Sequence, residues 1–266
     1  MTVFVIIGIV IAVAVALLLY FRADVSDALA GIEVFKPAPL TADAQNVKDS
    51  LESCAAVVLE SGLISLGIQG GYISIEGIPA STVLKSAVLD SSWSYKGTAY
   101  GYFSSTNRIP SAEAAGKELA TFLNTNIPLY CKGAKEGVTY ADKATSKVTV
   151  GSSKVNAEVK WVITVKKGET ESKIRSLSAE SPVRLGALLP IIKQMVDEQV
   201  KASKSEVCLS CWTKIAADNS LKVDIQKTGD DTFFMITDTK SRSLGNEKLE
   251  LPGRDFYIFG TALKLA

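Results

Sequence analysis

Apolar and polar residues fall into different rhythms along this chain, and the first rhythm is almost purely apolar. Thr2 to Tyr20, TVFVIIGIVIAVAVALLLY, run nineteen positions without a charge. In a helix rising about 1.5 Å per residue, that length matches the roughly 30 Å hydrocarbon core of a bilayer. Val25, Ala28 and Leu29 then keep an apolar stripe while Arg22, Asp24 and Asp27 face water, and Gly31 is placed to end the helix. Residues 1–31 are therefore expected to form one hydrophobic helix that enters a membrane through residues 2–20. A cleaved signal peptide would show a basic start, a shorter apolar run and a small-residue exit. Here no basic residue precedes the run and Phe21-Arg22 follows it, so a retained helix is expected. Gly8, Ala12 and Ala16 recur at every fourth position and place small side chains on one face, where a second helix can come close. No ionisable residue lies inside the span, which leaves a transport or proton-relay role without its groups.

Pro37 and Pro39 break the helical pattern and make residues 32–40 a short, stiff linker. Beyond it the pattern alternates between periods of 3.6 and 2. Thr41 is placed to cap a helix over Ala42 to Leu66, with Val47, Leu51, Cys54, Val58 and Leu66 at helical spacing and Gly67, Gly70 and Gly71 ending it. Tyr72 to Ile78 reads as extended. Thr82 to Phe103 reads as one or two strands carrying Trp93, Tyr95, Tyr100 and Phe103. Ser111 caps a helix expected to reach Asn124 and to be closed by Asn126-Ile127-Pro128.

Val155, Ala157, Val159, Trp161, Ile163 and Val165 alternate with mostly polar neighbours, interrupted only by Val162, as a half-buried strand does. Val148 to Val150 precedes it across Gly151-Ser152-Ser153, a hairpin pattern, and Thr170 to Leu177 supplies another strand. A helix is expected over Leu188 to Lys204, with Pro190 in its first turn and Leu188, Leu189, Ile192, Val196 and Val200 inward. A further helix around Ser205 to Ala217 includes Cys208 and Cys211. Strands near Leu221 to Gln226, Thr232 to Thr237 and Phe256 to Leu265 follow, with Thr228-Gly229-Asp230-Asp231 as a turn. Helices and antiparallel strands without a βαβ rhythm define the α+β class. The expected head spans residues 41–266, with two subdomains, 41–135 and 136–266, as one way of dividing it.

Composition narrows the chemistry. Formal charge is +1 and no basic cluster exceeds Lys166-Lys167, so the electrostatic footprint of a nucleic-acid binder is absent. The chain has no histidine, which removes Ser-His-Asp and Cys-His nucleophilic sites, histidine-ligated zinc and haem, and the usual acid/base near neutrality. The carboxylate pairs Asp230-Asp231, Glu169/Glu171 and Asp197-Glu198 sit in turns or on polar faces and read as solvated surface. No cofactor and no metal are expected, and a catalytic role is not. The segment Leu66 to Ile73 lacks the Lys-Ser/Thr of a phosphate loop and lies at a helix end.

Met-Thr-Val-Phe-Val-Ile-Ile-Gly-Ile-Val-Ile, running into Leu17-Leu18-Leu19-Tyr20-Phe21-Arg22, resembles the mature start of an archaeal type IV pilin-like protein. Val5, Ile6 and Ile7 stand in the region where bacterial pilins carry a glutamate, which sets the resemblance on the archaeal side. The resemblance covers the first twenty-odd residues. It implies a short leader cut off before the helix, an exported head, and helices that bundle into a filament core. It also answers a question of orientation. Arg22 after the span and no Lys or Arg before it would by charge alone leave the head inside, and a basic leader on the precursor would reverse that.

In an exported domain the even set Cys54, Cys131, Cys208 and Cys211 suggests two disulfides. Three pairings are open. The favoured one joins Cys54 to Cys131, worth about 3–4 kcal/mol for so long a loop, and Cys208 to Cys211. Cys208-Leu-Ser-Cys211 also fits a thiol redox centre or half a zinc site, but its place behind a long helix favours a structural bridge. Three roles remain. The leading one is a pilin-like subunit at the cell surface that assembles with copies of itself. The second is a single-pass ectodomain that binds an envelope component or another cell through the Trp93–Phe103 region. The third is a membrane-tethered thiol oxidoreductase.

Overall fold

The structure is a computed structural model and describes residues 40–76, 78–84, 97–202, 206–228, 231–242 and 256–264. The expected hydrophobic helix with Gly8, Ala12 and Ala16, all of the linker but Leu40, and Trp93 and Tyr95 lie outside the described residues.

The fold is α+β. Four helices, α1 (Ala42–Ile68), α2 (Ala112–Tyr130), α3 (Leu185–Ala202) and α4 (Leu209–Asn219), are described along with ten strands. These are β1 (Val83–Leu84), β2 (Thr98–Phe103), β3 (Thr106–Asn107), β4 (Val138–Tyr140), β5 (Thr145–Val150), β6 (Val155–Lys167), β7 (Thr170–Ser181), β8 (Leu221–Thr228), β9 (Asp231–Arg242) and β10 (Phe256–Lys264). The strands form two sheets. The larger runs β1-β2-β10-β9-β8 with β3 on β2, and all its pairs are antiparallel except β2 with β10. In the smaller, β6 pairs with β7 along one edge and with β5 and β4 along the other, all antiparallel. Thr41–Ala266 is one compact unit.

α1 is the hub of that unit. The Thr41 hydroxyl accepts from the Ala44 N–H and caps it. Its first half buries one stripe, Ala44, Val47, Leu51 and Ala55, whereas its second half is buried on nearly every side, from Val58 through Ile68. It packs against β7 of the smaller sheet, β10 of the larger and α2. By length and composition α1 is the one helix among the described residues that could cross a membrane, yet 56% of its most apolar window is buried inside this unit. Its apolar surface is spent on the core.

Polar contacts pin the helix where apolar packing alone would let it slide. The buried Glu60 accepts from the Ser181 hydroxyl at the end of β7, 2.8 Å away, and the Tyr257 hydroxyl of β10 donates to the Leu63 carbonyl at 3.1 Å. Gly67 lies inside α1 and does not end it. A side chain there would run into the Ile258 carbonyl and the Tyr257 ring, so glycine is what lets β10 approach. The helix stops at Gln69, followed by Gly70 and Gly71 at φ of 78° and 95°.

The β6 alternation is as written in the sequence: Val155, Ala157, Val159, Trp161, Ile163 and Val165 are buried, and Val162 keeps its place on the open face. The β5–β6 hairpin closes through Val150 opposite Val155. Elsewhere tertiary contacts overrule local signals. The Tyr72 to Ile78 stretch forms no strand in its described residues. The Ile73 N–H goes to the Glu118 carboxylate and the Glu76 N–H to the Ser74 hydroxyl, so side chains replace a ladder. α2 runs past Asn124 through Pro128 to Tyr130, because Ile127 and Pro128 are buried and the Cys131 N–H still reaches the Ile127 carbonyl at 2.9 Å. α3 starts three residues earlier than expected, putting Pro190 in its second turn, and its inward residue near the end is Gln199 in place of the half-buried Val200.

A second buried network fixes the start of α3. Asp238 on β9 is fully buried and takes a fork of hydrogen bonds from Arg184 Nε and Nη2 at 2.7–2.9 Å and one from the Ser241 hydroxyl at 2.6 Å. Arg184 Nη2 also donates to the Asn219 carbonyl at 2.8 Å, which ties the end of α4 to the same point.

Candidate functional site

Both disulfides are formed, and they sit in different surroundings. Cys54, at the middle of α1, is joined to Cys131, the residue that ends α2, with Cα atoms 5.8 Å apart. Cys131 is buried, and the bridge spans a sequence separation of 77. Loop-closure entropy for that span is worth about 4 kcal/mol. Cys208 and Cys211 are three apart with Cα atoms at 5.4 Å, and the same arithmetic gives only about 2 kcal/mol.

The local setting of the second bridge differs from the sequence reading. Helix α4 begins at Leu209, so Cys208 is its N-cap and Cys211 lies in the first turn. The Cys211 N–H donates to Cys208 Sγ at 3.3 Å, and the Ser210 hydroxyl lies 3.5 Å from the same sulfur. Both cysteines are half-buried, and Leu209 and Ser210 between them are exposed. The start of a helix carries unpaired N–H groups and the positive end of its dipole, which favour a thiolate.

Gln199, reaching across from α3 and fully buried, holds this turn. Its Oε1 accepts from the Cys208 N–H at 2.7 Å and from Trp212 Nε1 at 3.2 Å, while its Nε2 donates to the Glu206 carbonyl at 2.8 Å. Trp212 is buried and stacks on Phe234 with ring centres 3.8 Å apart, which seats α4 on the larger sheet. The expected helix around Ser205 to Ala217 began too early to show this.

The other candidates resolve as packing or surface. Tyr100 lies in the core with Leu84, Phe233 and Ala262, and Phe103 stacks on it at 5.6 Å with Arg108 over its outer face. Burial, reinforced by the Asp231 carboxylate, raises the Tyr100 phenol well above its usual pKa. Of the carboxylate pairs, Glu171 is bridged to Lys173 and Lys166, and the hydrogen bond from Lys173 lowers its pKa. Asp197 bonds Lys193 and Asn107, and Glu198 bonds Lys201. Asp230 lies outside the described residues. No cluster of three metal-ligating side chains occurs among the described residues. A hollow of about 420 Å³ over β5, β6 and β7 is lined by Lys147, Glu158, Ser178 and Glu180, with no buried polar group converging on it.

No protein-family model matches this chain, nor does any curated protein or solved structure.

Proposed function

We propose that the chain is a pilin-like surface subunit. Residues 2–20 hold it in the membrane and then pack with copies of themselves in a filament core, and residues 41–266 form the outward head. One observation carries the reading: the helix that directly follows the apolar stretch and its proline linker is the hub of the head. A pull arriving at Leu40 enters α1, which packs on both sheets and is stapled at its middle to α2 by Cys54–Cys131. A bridge at that place stops α1 from being drawn out of the head, as an extracellular polymer under tension requires. The two disulfides also suit a compartment outside the cytoplasm. The role asks for no catalytic chemistry.

Electron microscopy of the native envelope fraction, averaged for helical order, tests it. Regular filaments with the residue 1–31 helices bundled at the centre are expected, and Gly8→Leu with Ala12→Leu should abolish them by pushing neighbouring helices apart. Single particles, each held in the membrane by one helix, would instead assign an anchored ectodomain.

A further inference from the structure

Cys208 and Cys211 are placed so that their bond can open while the turn around them stays put. The Cys208 backbone is held by Gln199, and α4 is held by Trp212 against Phe234, so neither depends on the sulfur–sulfur bond. Cys208 Sγ already receives the Cys211 N–H at the start of an eleven-residue helix, the environment that stabilises it as a thiolate. The pair is half-buried and approachable, and Leu209 beside it is 59% exposed, an apolar side chain left in water next to the sulfurs. The Cys54–Cys131 bridge is less open, since Cys54 is half-buried but Cys131 is only 6% exposed.

We propose that Cys208–Cys211 is a redox-active disulfide that takes two electrons from a pair of cysteines on another polypeptide, with Leu209 contacting that chain. A thiolate of the partner attacks Cys208 Sγ. A mixed disulfide forms, the Cys208–Cys211 bond breaks, and Cys211 leaves with the electron pair and takes up the proton shed by the attacking thiol. The partner's second thiolate then attacks its own chain's sulfur in the mixed disulfide and displaces Cys208, which leaves under the Cys211 N–H and is protonated from solvent. The balance is one partner disulfide formed, one dithiol left at Cys208 and Cys211, and two electrons and two protons moved.

The test uses the full chain in buffers of graded reduced-to-oxidised dithiothreitol, quenched with acid, alkylated and read by peptide mass. The Cys208–Cys211 pair should open at a ratio at least tenfold lower than Cys54–Cys131, with the thermal transition still present. Opening of both pairs together, or only on unfolding, would overturn the proposal without needing any variant. With the two-cysteine peptide supplied as its disulfide, the single thiolate left by Cys211→Ser should attack it and hold it as a mixed disulfide on Cys208, the reverse of the second step above, and Cys208→Ser should hold at least tenfold less on Cys211; the reverse order would be fatal to the assigned roles. Leu209→Asp should slow reaction with the peptide at least fivefold and leave the dithiothreitol rate alone. Equal slowing of both would remove the polypeptide as partner. Filament formation is a separate readout, so the two proposals fail independently.

Discussion

At the scale of single residues, the head is held by a few buried polar groups whose partners come from distant parts of the chain. Asp238 is the clearest. With its carboxylate fully buried and met by Arg184 and Ser241, Asp238→Ala leaves the Arg184 guanidinium, itself only 15% exposed, without its counter-charge and bonded only to the Asn219 carbonyl. Urea denaturation should show a loss of about 3–5 kcal/mol, and a change below ~1 kcal/mol would mean the network relaxes around the gap. Tyr257 gives the head a pH limit. Complete burial, with the Glu60 and Asp238 carboxylates nearby, raises its pKa far above the usual ~10. The folded state then keeps a proton that the unfolded chain gives up, so this stabilisation is whole below about pH 10 and drains away as pH climbs beyond it. Urea midpoints should hold to about pH 9 and fall above pH 10. Tyr257→Phe should flatten part of that fall, having already cost about 1 kcal/mol at neutral pH through the lost bond to Leu63. Apart from Asp238 with Ser241 three positions on, these partnerships were not visible in the sequence, because Arg184–Asp238 and Leu63–Tyr257 join positions 54 and 194 residues apart and leave no local pattern.

Elements were legible where one face meets one environment. β6 announced itself by period-2 alternation, and α1 by Thr41 and a helical run of apolar residues, because in each case a buried stripe repeats along the element. Legibility failed where a distant group satisfied the backbone. Pro128 looked like a stop, yet burial carried α2 onward to the cysteine. The start of α4 was misplaced because cysteine is not counted among capping residues, although its sulfur accepts a hydrogen bond here. The consequence for the candidate site is large, since the four residues read as a structural bridge from their place behind a long helix, whereas at the start of α4 they are approachable. The two bridges should separate cleanly in stability. Replacing Cys54 and Cys131 by Ser is expected to lower the unfolding free energy by about 4 kcal/mol, against about 2 kcal/mol for Cys208 and Cys211. Calorimetry in the absence of reductant measures both, and equal losses would contradict the loop-length argument.

For the whole molecule, the α+β class was legible from the mixture of rhythms, but not the strand order. Nothing local in Phe256–Lys264 says that it inserts between β2 and β9, pairing parallel with one and antiparallel with the other. That insertion governs when the head can exist. The strand that follows all the other described strands in the chain is the one in the middle of the larger sheet, so β2 on one side and β9 with β8 on the other have no common ladder until it arrives. A chain ended after Asp255 should therefore show no cooperative urea transition for the head, and a sharp one would mean that the two halves find another way to close. A ribosome making this protein releases the apolar stretch, ending at Tyr20, about 235 residues before the sheet's middle strand begins at Phe256. If the chain acts as the surface subunit proposed above, it would reach the membrane with its sheet still unmade. In that role it would be threaded outward as a loose polypeptide and lock into shape only on the far side.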